Sequence, residues 1–308
     1  MHWGQIKALL ILSFFILDIY LLAQFLEKKE LSDIAIWEEQ SSTIEEQLRS
    51  EDITFNELPE EEYEESFISV KQHYFDEKDL KDNKSLVKQD PFIFDNYLIV
   101  SELDKPIYIK ENLSKDSMEE KLTDIVSEPD NYSYWNWNKD LNIIIYFQNK
   151  ERRPVYFNQN GLVLLFLNDK NEVEYYSQTM LGEAETLDEK QKLITPMHAI
   201  EKLYNSNELY AGDNIEDVKI GFHTRVPSES GVQVFAPIWK VNVNNEQNYF
   251  VNAIEGFTFS TEEEDFLSEA IETNIDRLQV TRKKDSPISD IIDDLKEREE
   301  LLEEDGED

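Results

Sequence analysis

Apolar residues fall along this chain in three patterns, and each predicts a different kind of element. The first is continuous. Ala8 to Leu26 reads ALLILSFFILDIYLLAQFL, 19 positions in which Asp18 is the only charge. A helix rising about 1.5 Å per residue over that length crosses the roughly 30 Å hydrocarbon core of a bilayer. The run is longer than the apolar core of a cleaved signal peptide, and no small-residue cleavage site follows at once. It reads as an uncleaved anchor over residues 8–26, with a short tail, residues 1–7, in front.

The second pattern is a series of short apolar runs separated by turn residues. PFIFDNYLIV, from Pro91, suits a buried strand. A helix over Ser114 to Val126 follows, with Ser117 as N-cap and Glu120 three positions on completing a capping box. Then come LNIIIYFQ, PVYFN, LVLLFLN and EVEYYSQTML, with turns at Asn158–Gly161 and Asn168–Asn171. The order repeats further on. Thr195 followed by Pro196 opens a helix striped with Met197, Ile200, Leu203 and Tyr204. Four runs follow it: VKIGFHTRV, GVQVFAP, IWKVNVN and NYFVNAIEG, with a turn at Asn244–Asn245. The expected fold class is α+β: a single transmembrane helix, then two modules, each a helix on an antiparallel sheet, over residues 91–182 and 183–258.

The third pattern is sparse. Residues 27–90 form an acidic stalk and membrane-proximal segment with scattered apolar positions. Residues 259–308 form a tail in which Phe266, Ile271, Ile275 and Leu278, then Ile288, Ile291, Ile292 and Leu295, allow short amphipathic helices. Its end, LKEREELLEEDGED, is too charged to fold alone. The tail is therefore expected to be largely disordered.

Composition narrows the chemistry. The chain's 67 acidic against 30 basic residues, a net charge of −37, repel phosphate backbones and exclude generic nucleic-acid binding. With no cysteine, there are no thiolate nucleophiles, disulfides or zinc-thiolate sites. Nucleotide-binding, metalloprotease and serine-hydrolase motifs are absent. His198 with Glu201 reads as an ordinary helix-surface pair, and His223 as a strand residue. Tyr132, Tyr134, Trp135 and Trp137 suggest a sugar-stacking platform, but their alternation fits a half-buried strand edge better. No calcium loop is present. The expectation is a non-enzyme with no catalytic, cofactor or metal site.

What remains is Asp18. A carboxylate deep in a span costs about 3 kcal/mol or more, and such residues mark contacts inside the membrane. Lys7, 11 positions earlier, lies three turns away on nearly the same face, and Phe14, Leu22 and Phe25 share that stripe. Lys7, Phe14, Asp18, Leu22 and Phe25 are the candidate surface for packing against another membrane helix. Lysines on both sides of the span leave local charge undecided. The bulk of acidic sequence after the span favours an external C-terminal domain and a cytoplasmic N-terminus.

Several stretches together resemble the YycI family. They are Met1-x-Trp3 with Lys7 and the anchor ending Ala23-Gln24-Phe25-Leu26; the helix Ala199-Ile200-Glu201-Lys202-Leu203-Tyr204; and Val232-Gln233-Val234-Phe235-Ala236-Pro237-Ile238-Trp239-Lys240-Val241, followed by Tyr249-Phe250-Val251-Asn252-Ala253-Ile254-Glu255-Gly256. The resemblance covers about residues 1–258. It implies a single-span cell-membrane protein with a YycH/YycI-like external domain. Such a protein acts with a YycH-like partner on the sensor histidine kinase WalK (YycG), which controls cell-wall metabolism. It supplies no catalytic residues, and leaves both homo- and hetero-oligomers open. The strands ending W-K-V and Y-F-V-N-A also resemble PepSY-type domains, which implies an alternative: an extracytoplasmic inhibitor or binding module acting on a wall hydrolase or protease.

Overall fold

Leu162–Leu167, LVLLFL, is buried at all six positions. A strand whose side chains alternate between two faces can bury all of them only if both faces are covered. That requirement organises the molecule. The structure, a computed structural model, describes residues 7, 12–15, 17–22, 44–59, 62–81, 88–226, 231–280 and 288–305.

The first part of the chain contains β1 (Thr54–Phe55), β2 (Glu64–Glu65), β3 (Ile68–Gln72) and α1 (Glu77–Lys81). Next come β4 (Gln89–Phe94), β5 (Leu98–Tyr108), α2 (Lys115–Leu122), β6 (Tyr132–Asn138), β7 (Ile143–Lys150), β8 (Arg153–Tyr156), β9 (Leu162–Leu167) and β10 (Glu172–Gln178). The rest contains β11 (Leu181–Thr186), β12 (Gln191–Lys192), α3 (Pro196–Asn205), β13 (Asn214–Val226), β14 (Val232–Val243), β15 (Gln247–Asn252) and β16 (Thr258–Phe259). Two long helices follow, α4 (Glu263–Val280) and α5 (Ile288–Asp305).

The fold is mixed α+β around one large sheet with two antiparallel halves. One half runs β4-β5-β10-β9-β7-β6. The other runs β11-β3-β14-β13, with β15 and β16 extending from β14. Short β8 links them, pairing antiparallel with β7 and parallel with β13. Gly221 permits that link: a Cβ there would meet the Tyr156 ring at 2.4 Å and the Pro154 carbonyl at 2.9 Å.

In the first half the two faces divide cleanly. Ile144, Tyr146, Val163 and Leu165 pack with Met118, Leu122, Ile125 and Val126 of α2 and the segment after it. Ile143, Ile145, Phe147, Leu164 and Phe166 face α4 and α5, burying Phe266, Leu267, Ile271, Ile275, Leu278, Ile291, Ile292 and Leu295. The tail expected to be largely disordered is thus a helical cover. Most of its acidic residues lie on the outward side, and Glu263, Glu264 and Asp265 in the first turn of α4 suit the positive end of the helix dipole. Polar ties fix it in place. Asp294 accepts from Tyr175 Oη at 2.5 Å and from Arg298 Nε at 2.8 Å, while Arg298 Nη2 donates to the Leu167 carbonyl at 3.0 Å.

The second half carries α3 on one face, where Met197, Ile200 and Leu203 pack with Trp239, Val241 and Val251. Thr195 caps α3, its hydroxyl accepting from His198 N, with Pro196 at the first helical position. Residues expected as stalk belong to this half too. Ile44, Leu48 and Ile53 join its core, and β3 sits between β11 and β14. Residues 27–43 lie outside the described residues.

Local expectations shifted in three places. The strand expected from Pro91 is two strands joined by Asp95 and Asn96, both left-handed at φ 48° and 63°. Ser114, not Ser117, caps α2 and accepts from Ser117 N. GVQVFAP and IWKVNVN form the single strand β14 despite Pro237. That proline lies after the stretch paired with β3, which ends at Phe235, and before the stretch paired with β15, which begins at Ile238. No ladder bond on that side requires its missing N–H.

Candidate functional site

Two regions concentrate features that packing alone does not explain. The first is the N-terminal helical stretch. Residues 12–15 and 17–22 are helical, and Leu12, Phe14, Phe15, Leu17, Ile19, Tyr20, Leu21 and Leu22 are all exposed, at 48–60%. Exposed apolar side chains in such number mark a surface that meets another protein or a lipid phase. Phe14, Asp18 and Leu22 recur every four residues and so share one face, and all are exposed. Lys7 is helical and exposed; Phe25 lies outside the described residues. Among the described residues, no helix is long and apolar enough to cross a membrane.

The second is a cleft of about 560 Å³ where the two halves of the sheet meet. One wall is Tyr134 and Trp135 of β6. Trp135 packs edge-on against Tyr156 and Phe157, with ring centroids 5.3 Å away in each case. Its indole N–H donates to Glu263 at 2.8 Å, and the Asn136 amide donates to the same carboxylate at 3.0 Å. The floor is Lys240 of β14, whose side chain is only 14% exposed. Its ammonium lies 5.4 Å from the Trp135 ring and 3.3 Å from Asn248 Oδ1. Asp217 is 3.9 Å from it, but that carboxylate is held more closely by Lys219, at 2.8 Å. Burial pushes the Lys240 ammonium down to about 8; Asp217 opposes this, and Lys219 and Lys115 add to it. Phe157, at the cleft, has a left-handed backbone at φ 49°. That conformation is strained for a bulky residue, and such strain gathers at functional positions.

The aromatic cluster splits as a half-buried edge strand should. Tyr132 and Trp137 point into the core, while Tyr134 and Trp135 line the cleft. His198 and Glu201 do meet, at 3.1 Å between Nδ1 and Oε2 on α3; burial lowers the imidazole pKa and Glu201 opposes that. Among the described residues, no group of three or more His, Asp or Glu side chains is placed to hold a metal ion. Sequence reasoning missed Lys240, whose only signal was a lysine between Trp239 and Val241 in an otherwise apolar strand.

The profile of the YycI protein family matches residues 31–254, well over half of the chain. The chain belongs to the YycI family. Two solved structures are similar to this YycI-family protein at low identity. One is an uncharacterized protein from Eubacterium rectale, at 11% identity and a TM-score of 0.41, covering 68% of this chain and 91% of that one. The other is YycH from Bacillus subtilis, at 9% identity and a TM-score of 0.34, covering 64% of this chain and 54% of that one. No curated relative matches. The C-terminal helices α4 and α5 lie beyond the matched YycI region.

Proposed function

We propose that this protein is a non-catalytic regulator anchored in the cell membrane by one helix, with its N-terminus in the cytoplasm and its folded domain outside. It modulates the sensor histidine kinase WalK (YycG) together with a YycH-like protein. The observation that carries this reading is the YycI family match over residues 31–254. The exposed apolar helix around Asp18 supports the anchor and gives it a coupling surface in Lys7, Phe14, Asp18, Leu22 and Phe25. The external domain pairs with the YycH-like partner, and the span transmits the state of that pair to the kinase.

The test replaces Ala8–Leu26 with an unrelated span of equal length and reads kinase autophosphorylation in reconstituted membranes. Loss of control with YycH-like pairing retained is the expected result. Unchanged kinase output would overturn the coupling role of the span. Co-purification with a wall hydrolase, and not with the kinase, would overturn the kinase reading itself. Asp18→Leu is expected to weaken crosslinking from the Phe14–Leu22 face to the kinase by about fivefold, the loss of one polar interhelical contact of the order of 1 kcal/mol.

A further inference from the structure

The cleft between the two sheet halves has the composition of a ligand site and no structural need to be open. Its charged groups fall into two layers. Glu246 and Glu262 stand exposed at the rim, whereas Lys240 forms the half-buried floor. The third carboxylate, Glu263, is already satisfied by the Trp135 and Asn136 donors. Lys219 and Lys115 have their own carboxylates, Asp217 at 2.8 Å and Glu119 at 3.7 Å. The deepest cation therefore has only a distant, shared counter-charge. A desolvated ammonium in that position favours an incoming anion more than any solvated surface lysine does.

The rest of the lining specifies what carries the anion. Carboxamides from Asn242, Asn245, Gln247 and Asn248 fringe one side, and the Trp135 ring forms the wall on the other. Amides that both donate and accept match a ring of hydroxyl groups, and an aromatic wall matches the C–H face of such a ring. A free phosphate or a simple carboxylate would use the ammonium but neither the wall nor the fringe. A peptide would want a strand edge or an apolar groove, and the Tyr134 backbone N–H on this edge already donates to Glu119 at 3.1 Å.

We propose that the cleft is a binding site for a small carboxylated saccharide, its carboxylate on Lys240 and its ring between Trp135 and the carboxamide fringe. The site goes beyond the regulatory reading and does not rest on it, because binding is read on this protein alone. The left-handed Phe157 backbone holds the aromatic wall in place: its ring packs against Trp135, Phe250 and Phe266.

The experiment uses the full chain in detergent micelles and calorimetric titration at pH 7. The probes are glucuronic acid and N-acetylmuramic acid, their neutral counterparts glucose and N-acetylglucosamine, and tri-alanine as a carboxylate without a sugar ring. The acidic sugars are expected to bind at least about tenfold more tightly than the neutral ones, the scale of one charge-assisted contact. Lys240→Met is expected to erase that preference, Lys240→Arg to keep it, and Asn242→Ala to weaken both sugar classes together. Thermal melts of each variant check that it is folded. Equal binding of acidic and neutral sugars, binding of neither, a preference unchanged in Lys240→Met, or tighter binding of tri-alanine than of the sugars would each overturn the proposal. Should Lys240→Met fail to fold, the probe comparison on the native protein and on Asn242→Ala decides alone.

Discussion

Gly221 shows how much one missing methyl group can carry. The two sheet halves approach through β8, and the Tyr156 ring and Pro154 carbonyl occupy the space where a side chain would start. Gly221→Ala is expected to lower stability by about 2 kcal/mol, an overpacking cost, in denaturant unfolding. Thr195 is a gentler case. Its hydroxyl accepts from the His198 N–H at the start of α3, and Thr195→Ala is expected to cost about 1 kcal/mol in the same assay. The Thr195 cap was legible because Thr-Pro is a local signal. Ser117 was misplaced because SKDS offers two serines three residues apart, and only the three-dimensional start of α2 selects Ser114. Gly221 gave no signal at all: its constraint comes from Pro154 and Tyr156, some 65 residues earlier in sequence, which no local pattern contains.

Strands and helices were easier to read than the turns between them and the covers over them. The runs IIIYF and LVLLFL stood out as strands, and the buried stripe of α3 was plain. The tail expected to be largely disordered is helical because stability depends on the apolar face of each helix, not on the charge of the LKEREELLEEDGED end. Leu267, Ala270, Ile271, Asn274, Ile275 and Leu278 follow helical spacing and are all buried. A signal for this was present: strands apolar at every position need two covers, and α2 can supply only one. Leu267→Ala is expected to destabilise the protein by about 3 kcal/mol, the cost of a core cavity. Glu264→Ala, on the exposed side, should change stability by less than about 0.5 kcal/mol. Equal and negligible effects of both, in urea unfolding, would mean the helices do not cover the sheet in solution.

The mixed α+β fold class was visible in the pattern of the whole chain, whereas the cleft arises only when distant segments meet. The fold also sets how stability responds to alkali. Lys240 and Lys150 are both pushed down to about 8 by burial, against an ordinary value of 10.5. Between those values the unfolded chain binds more protons than the folded one, so stability rises as pH rises. Tyr132, Tyr146, Tyr156, Tyr175 and Tyr176 are shifted the other way by burial, upward from 10.0. They stay protonated in the folded state while the unfolded chain ionises, so stability falls above about pH 10. Urea midpoints should therefore climb from pH 8 to near pH 10 and then drop. Lys240→Met should flatten the climb, and a midpoint that declines steadily from pH 8 would contradict both burial assignments.

The helical cover over the first sheet half has a kinetic consequence. Trp135 meets Glu263 across 128 residues of chain, and Leu141 meets Arg298 across 157. A nascent chain emerging from its N-terminus thus completes an apolar sheet face long before the helices that shelter it exist. Loop closure over such separations is slow, and an uncovered face is prone to aggregate in the meantime. Folding of this protein is therefore a race between closure of its last helices and self-association of its first sheet, and its yield should depend on concentration more steeply than its final stability suggests.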